Sequence, residues 1–233
     1  EALATSTNTT MSTLPQIIPI EHASAIIQWG TTAIFTDPVG DAALFAGKPA
    51  PSIILLSDIH GDHLSTSTIE ALGTDAPIIA PREVFEKLTP ALAARTHVLA
   101  NDESHTVLGF TITAIPMYNL AGPSEKFHTK GRGNGYVIEK DGVRVYLAGD
   151  TAGTPEMRAL TNIDVALIPM NLPYTMSVDE AADAVLAFKP TQVYPYHYRG
   201  TDGLADVARF KSLVAAGNPE IEVVLLSSWY PAR

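Results

Sequence analysis

The order of strand-like and helix-like segments in this chain predicts an α/β fold. Strands come first, strands then alternate with helices, and the same order is repeated, which suits two stacked sheets flanked by helices. The length of 233 residues fits one large domain or two small ones. Hydrophobic residues make up 46% of the chain and charged residues 17%, so a sizeable buried core is expected.

The N-terminal half is predicted to start with strands and to continue with alternating strands and helices. Short apolar runs bounded by turn residues favour strands at 16–20, 25–29, 32–37, 53–56 and 78–80. A polar start followed by apolar residues favours a helix at 65–72, which Gly73 ends. Pro81 at a first helical position favours another helix at 81–88. Residues 41–51 are rich in Gly and Pro, which predicts a loop near the mouth of a pocket.

The C-terminal half repeats this order. Apolar runs favour strands at 110–115, 136–139, 143–148, 164–169, 191–196 and 221–226. Asp141-Gly142 is typical of a tight hairpin turn. Apolar residues at helical spacing favour helices at 178–188 and 204–214. We interpret His97 and His105 as structural, because they lie near strand edges without other ligand-type residues in a recognisable pattern.

Composition and charge exclude several classes of partner. The formal net charge of -10 argues against nucleic acid, because a phosphate backbone needs a basic surface. No apolar run approaches the roughly 20 residues needed to span a membrane. The chain has no cysteine, which excludes disulfides and thiolate metal sites. A small-molecule substrate is therefore expected.

The N-terminal segment differs in composition from the rest of the chain. Residues 1–13 are rich in Ser, Thr, Asn and Ala, which predicts a disordered lead before a single domain at 14–233. The chain starts with Glu1, which is compatible with removal of a signal peptide or with a trimmed sequence. We expect a periplasmic or secreted protein.

A cluster of potential metal ligands follows the apolar run at 53–56. The four side chains are Asp58, His60, Asp62 and His63. Imidazole and carboxylate groups bind zinc, manganese and iron, and closely spaced ligands cost little loop entropy to bring together. Gly61 allows a tight turn between them. A polar loop with helix-capping acids is the alternative, but two His and two Asp behind a buried strand favour a metal site.

This cluster resembles the His-x-His-x-Asp-His signature of metallo-β-lactamase-fold hydrolases, with Asp58 in place of the first His. Gly149-Asp150-Thr151 and Pro195-Tyr196-His197 follow in the family's order, each at a predicted strand end. The resemblance covers about residues 14–228 and implies a four-layer αββα sandwich. Within the family, the chain looks like the branch of ascorbate-phosphate-lactonase-like hydrolases.

The resemblance implies one or two divalent metal ions, zinc, manganese or iron, at two adjacent sites. Asp58 and His60 would face the first site, where Asn119 would take the position of a further His, with His128 as the alternative. A carboxylate in place of an imidazole favours manganese, iron or magnesium at this site. We expect the first site to bind its ion more weakly than the second.

The second site would be complete by the family's standard. Its ligands would be Asp62, His63 and His197, and Asp150 would bridge the two ions with its two oxygens. The alternative role for Asp150 is that of an N-cap for the helix after Pro155. A histidine of the core remains the alternative role for His197.

Such a site predicts hydrolysis by a metal-activated water. Asp62 would orient the water or transfer its proton, and Asp150 would be essential as the bridging ligand. Tyr118, Tyr196 or Tyr198 would donate a hydrogen bond to a developing oxyanion. The expected substrate is a small ester, lactone or phosphoester.

The glycine-rich run at 127–135 adds an expectation about charge. We predict that His128, Lys130 and Arg132 line the pocket and bind an anionic group of the substrate, although a plain surface loop is the alternative. His22 would hydrogen-bond in a loop or line the pocket, and we favour the first. A non-catalytic metal- or ligand-binding protein and a phosphodiesterase or nuclease are the competing functions.

Overall fold

A computed structural model of the protein describes residues 13–231. Residues 1–12, which make up nearly all of the predicted disordered lead, lie outside the described residues. No helix in the described part of the chain is both long and apolar enough to cross a membrane.

The first sheet is built from the N-terminal third of the chain. Its strands, in spatial order, are β1 (Gln16–Glu21), β2 (Ser24–Trp29), β3 (Thr32–Thr36), β4 (Ile53–Leu55), β5 (Ile78–Ala80) and β6 (Thr96–Val98). The first three strands pair antiparallel, and the pairs from β3 to β6 are parallel. The parallel strands are therefore joined by connections that pass over one face of the sheet.

The second sheet is built from strands of the remaining two thirds of the chain. They are β7 (Ser104–Val107), β8 (Phe110–Met117), β9 (Gly133–Lys140), β10 (Val143–Leu147), β11 (Val165–Pro169), β12 (Gln192–Tyr196) and β15 (Glu222–Val223). The strands from β7 to β10 pair antiparallel, and β10, β11, β12 and β15 pair parallel. A separate two-stranded pair consists of β13 (Arg199–Gly200) and β14 (Gly203–Leu204).

Six α-helices lie within the described part of the chain. They are α1 (Thr66–Ala71), α2 (Arg82–Phe85), α3 (Pro90–Ala93), α4 (Pro155–Arg158), α5 (Val178–Phe188) and α6 (Val207–Gly217). The N-terminus of α5 is fixed by a capping box, in which the Ser177 and Glu180 side chains each bond the backbone of the other residue.

Burial alternates along the strands of the first sheet and thereby defines the layers. Ile27 and Ile34 point into the core shared with the second sheet. Ile26, Phe35 and Ile54 point the other way and form a separate core. That second core is completed by apolar side chains of the first three helices: Ile69, Val84 and Leu92. With α5 and α6 packed on the second sheet, the arrangement is a four-layer αββα sandwich.

The predicted elements differ from the observed ones mainly in their ends. Helix α6 begins at Val207 instead of 204, because Gly203–Leu204 pairs as a strand. Strand β15 covers only Glu222–Val223 of the predicted 221–226. Strands β6 and β7 were not predicted, since both are short and polar. His97 and His105 stack with ring centroids 3.7 Å apart where these two edge strands meet, so the pair connects the two sheets.

The fold brings the motifs to one edge of the sandwich. The ligand cluster follows β4 of the first sheet, and Asp150 and His197 follow β10 and β12 of the second sheet. His128 lies in the loop between β8 and β9. Residues distant in sequence are therefore assembled at one site by the carboxyl ends of strands from both sheets.

Candidate metal centre

Two groups of three ligand-type side chains lie side by side at this edge. The first group is Asp58, His60 and His128, whose ligand atoms all lie within 4.8 Å of one another. Asp58 Oδ2 is 2.5 Å from His60 Nδ1 and 3.8 Å from His128 Nε2. Asp58 and His128 are buried, whereas the His60 side chain is 41% exposed and faces solvent in part.

The second group consists of Asp62, His63 and His197, and its ligand atoms also lie within 4.8 Å of one another. His197 Nε2 lies 3.2 Å from Asp62 Oδ2. His63 is fully buried, but the Asp62 side chain is 46% exposed. The group therefore combines two buried imidazoles with one carboxylate that is accessible from solvent.

Asp150 lies between the two groups. Its Oδ2 is 3.2 Å from His128 Nε2 in the first group and 3.3 Å from His63 Nε2 in the second. Its Oδ1 is 3.4 Å from His197 Nε2. Because it contacts both groups, Asp150 lies where a carboxylate that bridges two metal ions is expected.

Unpaired buried atoms converge at this place. Among the described residues, five buried side-chain atoms of the ligand-type residues at this site lack a hydrogen-bond partner: Asp58 Oδ1, His63 Nε2, Asp150 Oδ1, and both Nδ1 and Nε2 of His197. A buried polar atom without a partner costs about 1–3 kcal/mol, so such a cluster needs an explanation. Four imidazoles and three carboxylates form a donor set that suits divalent transition metals, and the residues therefore fit a metal centre.

The electrostatics of the cluster favour the ionised carboxylates. Burial acts to raise the pKa of Asp150, but the charges of His197 and His63 outweigh it and hold that pKa well below its usual value. The pKa of Asp62 is lowered in the same way, against the effect of burial, chiefly by the His197 imidazole 3.2 Å away. Both acids are therefore in the form that a metal ligand or a general base requires.

Asp37 supports the second group from behind, a role that the sequence did not suggest. Its Oδ2 accepts a hydrogen bond from His63 Nδ1 at 2.8 Å, and its Oδ1 accepts one from the Ser57 N–H at 2.7 Å. A carboxylate behind a ligating imidazole fixes the tautomer and leaves Nε2 free for a metal. The only feature of the sequence that could have indicated this role is the position of Asp37 directly after a buried strand, where we expected a turn.

The structure places Asn119 beside His128 and outside the first group of ligand-type side chains. The Asn119 Nδ2 group donates to the carbonyls of Ser124 and Tyr174, and it lies 3.2 Å from His128 Nδ1. This is the edge of the imidazole that faces away from Asp58 and Asp150, both of which approach Nε2. Asn119 thus lies behind His128, and His128 takes the place in the first group.

Two basic residues that we expected to bind substrate are paired within the protein. Arg132 Nη2 lies 3.2 Å from Asp58 Oδ1. Lys130 forms an ion pair with Glu156 and lies over the Tyr118 ring at 4.7 Å. Neither Lys130 nor Arg132 is among the described residues that line the cavity at the metal centre.

The predicted tyrosine donors do not reach the site either. The Tyr118 hydroxyl donates to Glu156 at 2.8 Å, outside the cavity. Tyr198 packs edge-on against Tyr230 with ring centroids 4.8 Å apart. The Tyr196 hydroxyl accepts a hydrogen bond from the Gly149 N–H at 2.9 Å, so it holds the segment that carries Asp150.

His22 makes the loop hydrogen bond that we favoured for it. Its Nδ1 lies 3.0 Å from the Tyr230 hydroxyl, and its ring packs edge-on against His197 with centroids 5.6 Å apart. His22 therefore supports a residue of the second group without joining it.

An open cavity of about 250 Å³ lies over the metal centre. Its lining includes members of both groups and Asp150, together with Phe127, Asn171 and Tyr174. Phe127 and Tyr174 pack edge to face with ring centroids 5.1 Å apart. Asn171 and Tyr174 follow strand β11, whose carboxyl end lies at the same edge as the ligands. Their position after a predicted strand was the only feature of the sequence that could have indicated a role at the site.

The sandwich and the paired His and Asp groups define a metallo-β-lactamase-fold hydrolase that depends on metal. Residues 16–197 match the family described as the β-lactamase superfamily domain. The chain is 34% identical to a UPF0173 metal-dependent hydrolase from Thermococcus onnurineus, across 84% of this chain and 90% of that protein. A Thermococcus kodakarensis relative of the same description is 33% identical, across 88% and 93% of the two chains. The chain belongs to this family of metal-dependent hydrolases within the β-lactamase superfamily.

Solved structures agree with this assignment. A Parabacteroides distasonis protein described as a metal-dependent hydrolase superposes with a TM-score of 0.80 at 36% identity, covering 91% of this chain and 92% of that one. A metallo hydrolase from Ignicoccus hospitalis has a TM-score of 0.78 at 22% identity, covering 92% and 95%, and it shares the fold. The ascorbate-phosphate-lactonase-like branch and the identity of the metal stay predictions.

Proposed function

We propose that the protein hydrolyses a small, uncharged carboxylic ester or lactone whose flat or apolar part packs beside the metal centre. The cavity over the two groups carries this proposal. Its volume of about 250 Å³ lies at the lower end of ligand pockets, which favours a small substrate. Phe127 and Tyr174 supply an aromatic wall next to the ligands.

Charge supports an uncharged substrate over the anionic one expected from the sequence. The pairing of Lys130 with Glu156 and of Arg132 with Asp58 leaves neither cation directed at the cavity. The net charge of -10 also disfavours a long polyanion such as nucleic acid.

The chain's own residues divide the work of the reaction between them. A divalent ion held by the two groups would supply Lewis acidity, which lowers the pKa of water and polarises a carbonyl. Asp62, ionised and half exposed, is placed to accept a proton and to pass it to the leaving group. Asn171 Oδ1 accepts a hydrogen bond from the Thr175 hydroxyl, so its amide N–H groups remain for a substrate oxygen.

A substrate panel tests the proposal. Aryl esters, small lactones, phosphomonoesters and phosphodiesters are assayed with protein loaded with zinc, manganese or iron. We expect the neutral esters or lactones to have the highest kcat/KM. A phosphoester as the best substrate, or no turnover above that of Asp150→Ala, would count against the proposal.

Two substitutions separate the neutral substrate from an anionic one. Tyr174→Ala should raise KM about tenfold with a smaller change in kcat, because the wall contributes binding that is similar in the ground and transition states. Lys130→Ala should leave KM unchanged, since Lys130 is held by Glu156 outside the cavity. A raised KM in Lys130→Ala alone would favour an anionic substrate instead.

A further inference from the structure

The Asp58 carboxylate contacts both the metal centre and an arginine. The side chain is fully buried, and its Oδ2 lies 2.5 Å from His60 Nδ1. Arg132 Nη2 lies 3.2 Å from Oδ1 and donates a hydrogen bond to Oδ2 at 3.5 Å. The carboxylate therefore contacts the first group and, at the same time, a permanent cation that takes no part in ligation.

The backbone fixes this pairing independently of the two charges. The Asn134 N–H donates to the Ser57 carbonyl at 3.0 Å, which ties the start of β9 to the residue before Asp58. A Cβ at Gly133 would lie 2.9 Å from the same carbonyl, so the close approach requires glycine. Arg132 Nη2 also donates to the Phe127 carbonyl at 2.5 Å. The arginine is thus held beside Asp58 by its own chain segment.

Charge balance explains why the pair occurs together. The signature that this stretch resembles has a neutral histidine where this chain has Asp58, so the substitution adds one buried negative charge. An uncompensated buried charge is strongly unfavourable. Arg132, whose side chain is only 19% exposed, returns the net charge of the ligand set to that of the signature.

We propose that Asp58 and Arg132 act as one neutral ligand unit, in which Arg132 positions and compensates the carboxylate that replaces histidine. Arg132 is then a positioning residue of the first group and not a substrate-binding residue. The inference concerns the metal centre used in the proposed function, but it does not depend on the identity of the substrate. It predicts that neither residue of the pair can be exchanged without the other.

A double-mutant cycle on metal binding tests the pair. Apo-protein of the wild type, Asp58→His, Arg132→Gln and the double variant is titrated with Mn²⁺ and separately with Zn²⁺ in a calorimeter. Asp58→His alone should weaken the second binding event by at least about tenfold, because it leaves the Arg132 charge facing a cation. The double variant should recover most of that loss. Asp58→His with Arg132→Lys should not recover it, since the charge remains.

Internal controls keep the result interpretable. Uptake of the first ion by Asp62, His63 and His197 reports that a variant is folded. Lys126→Gln, which changes another cation in the loop that carries Arg132, should bind both ions like the wild type. The proposed ligand unit would be contradicted by additive effects of the two substitutions. It would also be contradicted by an Asp58→His variant that binds two ions as tightly as the wild type. A wild type that binds one ion also overturns it, whereas a wild type that binds none overturns the proposed function as well.

Discussion

Asp150 is the residue on which both groups depend. It is the only carboxylate in the described part of the chain that contacts His128, His63 and His197 together. We expect Asp150→Asn to lose at least one metal ion per chain and to lower kcat by at least about 100-fold, because the amide brings one neutral oxygen in place of two charged ones. Elemental analysis and the ester assay measure both effects.

A matched substitution controls for the chemistry of Asp150→Asn. Asp183 is exposed and pairs with Arg158 at 2.7 Å, and exposed ion pairs contribute about 0–1 kcal/mol. Asp183→Asn should therefore keep both the metal content and the activity. Equal losses in the two variants would show that the effect does not come from the metal centre.

Asp37 offers a second test at the level of single residues. Burial raises the pKa of Asp37, although the interactions with His63 and Ser57 act to lower it. Asp37→Asn should weaken metal binding about 10–100-fold, because the amide no longer fixes the His63 tautomer. Competition with a chelating dye measures the affinity. Asp41→Asn, which keeps an exposed turn cap, is the control and should bind like the wild type.

Among the secondary-structure elements, the start of β9 decides the geometry of the first group. Gly133→Ala would place a Cβ against the end of the Met117 side chain, which can turn away, and 2.9 Å from the Ser57 carbonyl, a backbone atom that cannot move without shifting Asp58. We expect a loss of about 1–3 kcal/mol of stability, as for overpacked cores, together with weaker binding of one ion. Chemical denaturation and metal titration measure the two effects.

Gly61 provides the contrasting position. It lies within the ligand cluster itself, yet a Cβ there would meet nothing within 4 Å. Gly61→Ala should therefore fold and bind metal like the wild type. A larger effect at Gly61 than at Gly133 would show that the turn in the cluster, and not the contact between β9 and Ser57, fixes the site.

For the whole molecule, the metal centre connects the two sheets. One sheet supplies Asp58, His60, Asp62 and His63 after β4, and the other supplies His128, Asp150 and His197. Metal at 100 times its Kd should stabilise the fold by about 2.7 kcal/mol. For a chain of this size that is a rise in Tm of roughly 5–10 °C, which chelation should remove. Asp150→Asn should show a much smaller difference between its metal-loaded and chelated forms.

Much of this molecule follows from local sequence. The cluster from Asp58 to His63 needs only one strand and one turn to come together, so its spacing was sufficient to predict a metal site. The apolar runs likewise predicted most strands and the helix at Val178–Phe188, because burial imposes periods of two and 3.6 residues on any sequence. The comparisons confirm the fold and the class of enzyme.

The tertiary structure alone decided the contacts between segments that lie far apart in the chain. His128 instead of Asn119 in the first group, Asp37 behind His63, and Arg132 on Asp58 all depend on how loops pack across neighbouring strands. Such contacts carry no periodicity, and the same residue types are common on solvated surfaces. The sequence therefore determined the class of site and the ligands that are neighbours in the chain, whereas packing determined which distant residues complete each group and which charged side chains are paired within the protein.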